Sequence, residues 1–257
     1  MHLEYHRPQT LDEAIQLLSR ETPLTLPLAG GAFLNAQQRP ATLPQEPVAV
    51  VDLQTLGLDA LTPRGNFFDL GATATLQQVL EEAADALPSG LRDALHMETT
   101  YTRRHTQTVG GTLVAADGRS PLATAMMALD ARLTLYPEAT LPLSEIYPFR
   151  WEHLRGKVIT KVTVPTQASL AVESVAPSPL AQPLVIVAVA RWPSGRTRVV
   201  LGGWGEAPHL ALDGPNADGA EAAARNAAHD AADHRASAEY RREVAAVLVR
   251  RALQNLA

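Results

Sequence analysis

The sequence predicts a mixed α+β chain, with short strands and capped helices interleaved over most of its length and a helix-rich closing stretch. Three observations carry that prediction. Thr10, Thr75 and Ser120 stand directly before apolar residues of helical spacing, each with the chemistry of a helix cap. Short runs of apolar and β-branched residues lie between those helix starts. A Pro-, Ser- and Ala-rich stretch at 166–183 then interrupts the alternation, which places a boundary between an N-terminal part, 1–165, and a C-terminal part, 166–257.

In chain order, Thr10 followed by Glu13 reads as a capping box opening a helix with Leu11, Ala14, Ile15 and Leu18 on its apolar face. Strands are expected at 48–53 and 67–71. Thr75 and Gln78 form a second capping box ahead of Leu76, Val79 and Leu80. Ser120-Pro121 opens a third helix, since proline lacks an N–H that the first helical position does not need, and Leu122, Ala125, Met126 and Leu129 form its apolar face. Further strands are expected at 132–136, at 158–164 (V-I-T-K-V-T-V), at 184–190 and at 197–201. The stretch 213–219 (D-G-P-N-A-D-G) reads as a loop and 220–232 is alanine-rich. The stretch 237–256 reads as an amphipathic helix carrying Tyr240, Val244, Val247 and Leu248. There is no internal repeat.

Composition removes whole classes of function. The chain has 257 residues, 46% of them hydrophobic, enough for a sizeable core. With no cysteine, it can form neither a disulfide nor a thiolate zinc site, and it cannot itself ligate an iron–sulfur cluster. A net charge of −5 gives no electrostatic footprint for nucleic acid. No apolar run approaches the roughly 20 residues of a membrane span, and the N-terminus lacks the pattern of an export signal. A cytoplasmic location is the expectation.

Two segments invite a chemical reading. Pro27 to Leu34 (P-L-A-G-G-A-F-L) and Thr108 to Leu113 (T-V-G-G-T-L) each place Gly-Gly between apolar or small residues. Glycine lets the backbone turn and approach a ligand without a Cβ, and successive N–H groups there form an anion-binding concavity. Each segment alone reads more simply as a plain turn. Together they suit a dinucleotide, whose diphosphate two facing loops can clamp. Neither matches G-x-G-x-x-G, so a Rossmann domain is not supported. Arg103-Arg104 precedes the second segment, either as cations for a diphosphate or as an exposed pair; His105 lies beside them. The histidines form no metal-binding spacing, and His229 and His234 read as surface residues. Arg241-Arg242 and Arg250-Arg251 read as a solvated helix face. No nucleophile elbow or interpretable carboxylate pair is present, so any chemistry falls to a cofactor.

These residues resemble the FAD-binding medium subunit of molybdenum hydroxylases, the group of carbon monoxide dehydrogenase and xanthine dehydrogenase. The likeness runs over nearly the whole chain: Thr10-Leu-Asp-Glu-Ala-Ile-Gln-Leu-Leu18, Ala29-Gly30-Gly31, Val51-Asp52-Leu53, Leu70-Gly71-Ala72, Thr108-Val109-Gly110-Gly111, Ala128-Leu129-Asp130-Ala131, then Ser237 to Arg242 and Leu248 to Leu253. The resemblance implies a two-subdomain FAD-binding domain of the vanillyl-alcohol-oxidase (PCMH) type over 1–165, with subdomains at about 1–55 and 56–165, and a small α+β domain over 166–257. It implies FAD as cofactor, held by Ala29, Gly30, Gly31, Ala32, Phe33 and Leu34 and by Thr108, Gly110, Gly111 and Thr112. Its implied partners are a molybdenum-cofactor large subunit and an iron–sulfur small subunit, with electrons passing through FAD to NAD, a quinone or oxygen.

The chain departs from the family pattern at several places. Ala32-Phe33 replaces a polar pair, Thr112 replaces an asparagine, and Pro121 stands where an aspartate is usual. The stretch 172–183 lacks the aromatic and cationic residues that help enclose the flavin in relatives. These departures leave two other readings beside the FAD subunit. One is a homologue that keeps the fold as a structural or assembly subunit with weak or no FAD binding. The other is a self-contained flavin oxidase.

Overall fold

Three β-sheets organise the chain, here in a computed structural model that describes residues 3–32, 48–137, 139–178 and 181–256. The first sheet is parallel, in the order β1-β3-β2, from β1 (Leu3–His6), β2 (Leu24–Leu28) and β3 (Val48–Asp52). β3 is central and all five of its residues are buried, the pattern of a parallel strand with both faces covered. Helix α1 (Leu11–Leu18) packs on this sheet through Ala14 and Val51. Thr10 caps it by accepting the Glu13 N–H, while the Glu13 carboxylate accepts from the Gln9 N–H at 2.8 Å, one residue before the cap.

The second sheet is antiparallel, in the order β4-β5-β8-β6-β7, from β4 (Leu61–Arg64), β5 (Phe67–Gly71), β6 (Arg132–Tyr136), β7 (Ala139–Pro142) and β8 (Val158–Pro165). Helices fill the connection between β5 and β6. A turn at Leu76–Gln78 carries the complete Thr75–Gln78 capping box. Helices α2 (Ser89–Glu98), α3 (Val109–Ala115) and α4 (Pro121–Ala128) follow. Ser120 caps α4 by accepting the Ala123 N–H, with Pro121 at the first position, and every residue of α4 is buried.

The third sheet is antiparallel, in the order β12-β11-β10-β9, from β9 (Ser169–Val175), β10 (Val185–Arg191), β11 (Thr197–Gly202) and β12 (His209–Gly214). β10 shows why a strand can be apolar throughout. Ala188 and Ala190 face the main core with α2 and α4, while Val185, Val187 and Val189 face the other way, onto helices α5 (Ala220–Ala227) and α6 (Ala238–Asn255). Small alanines on one face let the buried helix α4 approach, and valines fill the other.

Three sequence expectations are corrected here. The stretch 166–183 is not all connection, because β9 runs through it and pairs with β10. The prolines, serines and alanines around it hid a strand whose own Leu170 and Ala171 are buried. The stretch 213–219 begins in β12. The expected solvated face of α6 is also wrong at Arg241, which is completely buried while Tyr240 and Val247 are exposed. The inward face is Arg241, Ala245, Leu248, Val249 and Ala252, so the helix is rotated from the phase its larger apolar residues suggested. Arg241 is held there by Leu184 O at 3.0 Å, Ala231 O and Asp233 at 2.9 Å, with its guanidinium 5.7 Å from the Trp204 ring.

A buried carboxylate joins α2 to α4. Glu98 accepts from the Ser120 hydroxyl at 2.8 Å and from the Leu122 N–H at 2.9 Å. The residue is partly exposed but its carboxylate lies at the first turn of α4, and burial raises its pKa above the ordinary glutamate value. A raised carboxyl pKa contributes stability that is fully present below the unfolded value and lost as pH rises through the folded one. Glu98→Gln therefore gains on the native protein with rising pH. Denaturant midpoints at pH 5 and pH 8 should show the gap shifting in favour of the glutamine; a constant gap refutes the assignment.

Candidate functional site

The two Gly-Gly segments meet. The first follows β2, where Gly31 turns with φ +72° and the Ala29 carbonyl accepts from Gln54 Nε2 at 3.1 Å. Gly30 lies so close to Thr106 that a methyl built on it would overlap the Thr106 carbonyl oxygen and sit 3.5 Å from Thr108 Cγ2. Only glycine permits this approach. Ala29 through Ala32 remain partly exposed, so the junction opens to solvent. Phe33 and Leu34 lie outside the described residues.

The second segment is not a turn but the start of α3. Thr108 is its cap, accepting the Gly111 N–H at 3.2 Å, and Thr108 also bridges to Thr75. The amides expected to be free are engaged within the fold. Val109 donates to Ala74 O at 2.9 Å, Gly110 to Ala72 O at 2.8 Å, and Thr112 to Thr108 O at 2.8 Å. Gly110 is needed for packing, since a Cβ there would stand 3.0 Å from both the Cβ and the carbonyl oxygen of Ala72. Gly111 is exposed, and a Cβ on it would press the Thr108 hydroxyl at 2.7 Å. What α3 leaves open is the bare Gly111 Cα beside the Thr108 hydroxyl.

A second threonine hydroxyl in this helix is unexplained by the fold. Thr112 is 7% exposed, and its Oγ1 is buried without a hydrogen-bond partner. Gln107 Oε1, one residue before the cap, is in the same condition. Buried polar atoms are normally satisfied, and these two, one on each side of Thr108 in sequence, are polar atoms that the fold leaves unexplained. Gln107 belongs to no motif, and nothing in the sequence marks it.

The neighbouring basic residues separate. Arg104 is buried, donating to Gln77 Oε1 at 3.1 Å and Thr99 O at 3.0 Å, and so serves the fold. Arg103 stays exposed, and the exposed His105 stacks edge-on against Tyr101 at 4.7 Å. His229 and His234 are at the surface, as expected. Among the described residues, no group of histidines and carboxylates is placed to hold a metal.

Residues 1–167 match the family described as the FAD binding domain in molybdopterin dehydrogenase. The chain belongs to this family. FAD is the cofactor that its domain binds. The Escherichia coli K12 protein YgfM is 28% identical over 250 residues, covering 96% of this chain and 93% of its own length. Among solved structures, the reconstituted CO dehydrogenase from Oligotropha carboxidovorans superposes with a TM-score of 0.85 at 24% identity, over 99% of this chain and 97% of the matched one. Quinoline 2-oxidoreductase from Pseudomonas putida 86 gives 0.80 at 22%, over 99% and 96%. At these identities the superpositions establish a shared fold. Membership of the FAD-binding family and the α+β architecture thus agree with the resemblance read from the sequence. No helix among the described residues is long and apolar enough to cross a membrane.

Proposed function

We propose that this chain is the FAD-carrying electron-transfer subunit of a molybdenum hydroxylase. It would work with a large subunit bearing the molybdenum cofactor and a small subunit bearing iron–sulfur clusters, passing electrons through its FAD to NAD, a quinone or oxygen. The observation that carries this reading is the contact of Gly30 with the Thr106 carbonyl and the Thr108 side chain, which brings both Gly-Gly segments to one junction. We assign Ala29, Gly30, Gly31, Ala32, Phe33 and Leu34 to one side of the cofactor, and Thr108, Gly110, Gly111 and Thr112 to the other. The division into 1–165 and 166–257 belongs to the same proposal. What FAD supplies when bound is a redox centre linking one- and two-electron partners. The chain's own part is to hold it. Gly30 and Gly111 keep the junction narrow and free of Cβ atoms, and the Thr108 and Thr112 hydroxyls can donate to the diphosphate.

Thr112→Val tests this directly. Valine keeps the shape and removes a hydroxyl that has no partner in the fold, so the cofactor-free variant should be more stable, by about 1 kcal/mol. If the hydroxyl serves FAD, affinity should fall by about tenfold at the same time. A stabilised variant with unchanged FAD affinity removes Thr112 from the site. A wild-type protein that takes up no added FAD favours the structural-subunit reading, for which Pro121 and the changed stretch 172–183 are the sequence support.

A further inference from the structure

We propose that the segment 147–151 forms the flavin end of the cofactor site, with Trp151 as a stacking surface for the isoalloxazine and Arg150 as the cation beside it. The inference rests on the FAD reading above and extends it to residues that no motif marks.

Phe149 and Trp151 are 59% and 64% exposed, two large aromatics two residues apart on a segment that is not loose. Tyr147 is buried and its hydroxyl donates to Leu113 O at 3.3 Å. Arg150 Nη1 donates to Ala116 O. Both acceptors belong to α3 or the residue that ends it, so the aromatic segment is anchored to the helix that begins at Thr108. Seven helical residues rise about 10 Å, a distance comparable to the reach of the ribityl chain that joins the diphosphate of FAD to its ring. The side of α3 that leads from one end to the other carries Gly111, Val114 and Ala115, small residues that are exposed or partly so.

Arg150 has the chemistry this position needs. Its guanidinium lies 5.6 Å from the centre of the Tyr147 ring and 4.9 Å from that of Trp151. No described carboxylate forms an ion pair with it, and its Nε is buried without a partner. A guanidinium near two rings, bonded to the Ala116 carbonyl and with no described anion paired to it, suits a planar ligand that gains negative charge, as an isoalloxazine does on reduction.

The test compares FAD with ADP-ribose, which shares the adenosine diphosphate but lacks the flavin, in titrations of the full chain. Wild type should bind FAD more tightly than ADP-ribose. Trp151→Ala, at an exposed position that does not threaten folding, should lower FAD affinity about tenfold, within the range measured for stacking on aromatic side chains. It should leave ADP-ribose binding unchanged and brighten the emission of bound flavin by removing a quenching ring. Arg150→Met should also weaken FAD alone, with partial recovery in Arg150→Lys. Tyr240→Ala, an exposed aromatic on α6, should change nothing. Unchanged FAD affinity and emission in Trp151→Ala overturn the inference. So does a wild type that binds both ligands equally, a result that leaves the diphosphate junction standing. A wild type that binds neither ligand removes the FAD reading and this inference together.

Discussion

Gly30→Ala is expected to abolish FAD binding. A methyl at this position would occupy the Thr106 carbonyl oxygen, and backbone cannot rotate aside as a side chain does. The only relief is separation of the segment after β2 from the one before α3. Overpacking of this kind costs about 1–3 kcal/mol of stability, which a chain with this much buried surface should survive. The cofactor loses more, because a clamp opened at its narrowest point no longer matches a diphosphate on both sides. A loss of more than about 100-fold in affinity, or about 2.7 kcal/mol, is expected in flavin titrations, with the far-UV spectrum preserved. A folded Gly30→Ala protein with native affinity would mean that FAD does not use this junction.

Arg241→Ala should be the most destabilising single change in the C-terminal part. Arg241 is fully buried and serves three acceptors: Leu184 O, Ala231 O and the Asp233 carboxylate. Asp233 also accepts from Arg119 at 2.9 Å and from the amides of Arg235 and Ala236, so the cluster ties α6 to the start of β10 and to the segment before α4. Removing one partner of a buried charged pair costs about 3–5 kcal/mol, and here two carbonyls lose their donor as well. The denaturant midpoint should drop accordingly, with Arg241→Lys recovering only part because an ammonium cannot reproduce the fork geometry. A shift below about 1 kcal/mol would show that solvent replaces these contacts.

Much of this architecture was legible from capping chemistry and period. Thr75 with Gln78 and Ser120 with Pro121 are local devices, acting through bonds within one turn, so they survive translation from sequence to structure. What failed depends on distant partners. Ser169–Val175 is a short run inside a Pro-, Ser- and Ala-rich stretch, and its pairing with Val185–Arg191 is what makes it a strand. Arg241 looked solvated because sequence does not display Leu184 O and Ala231 O waiting for a donor. At the site, the Gly-Gly pairs were visible and their meeting was inferred from ligand chemistry, but the role of their amides was misread. Thr108 makes the second pair the first turn of a helix, and a helix engages its own backbone. The orphan hydroxyl of Thr112 and the exposure of the Trp151 ring are three-dimensional facts with no signature in one dimension.

The sandwiching of β10 has a consequence for how the chain is made. Val185, Val187, Val189, Val199 and Leu201 face α5 and α6, and both helices follow the sheet in sequence. During synthesis that valine-rich surface exists before its cover does. A nascent chain halted ahead of Ser237 would carry α5 but lack α6, and would present the part of that surface which α6 covers to its neighbours on the polysome, with the native hairpins already able to pair. Premature termination in this region should therefore yield insoluble product rather than a shorter working protein, and rare codons between β12 and α6 would lengthen the interval in which holdase chaperones have something to grip.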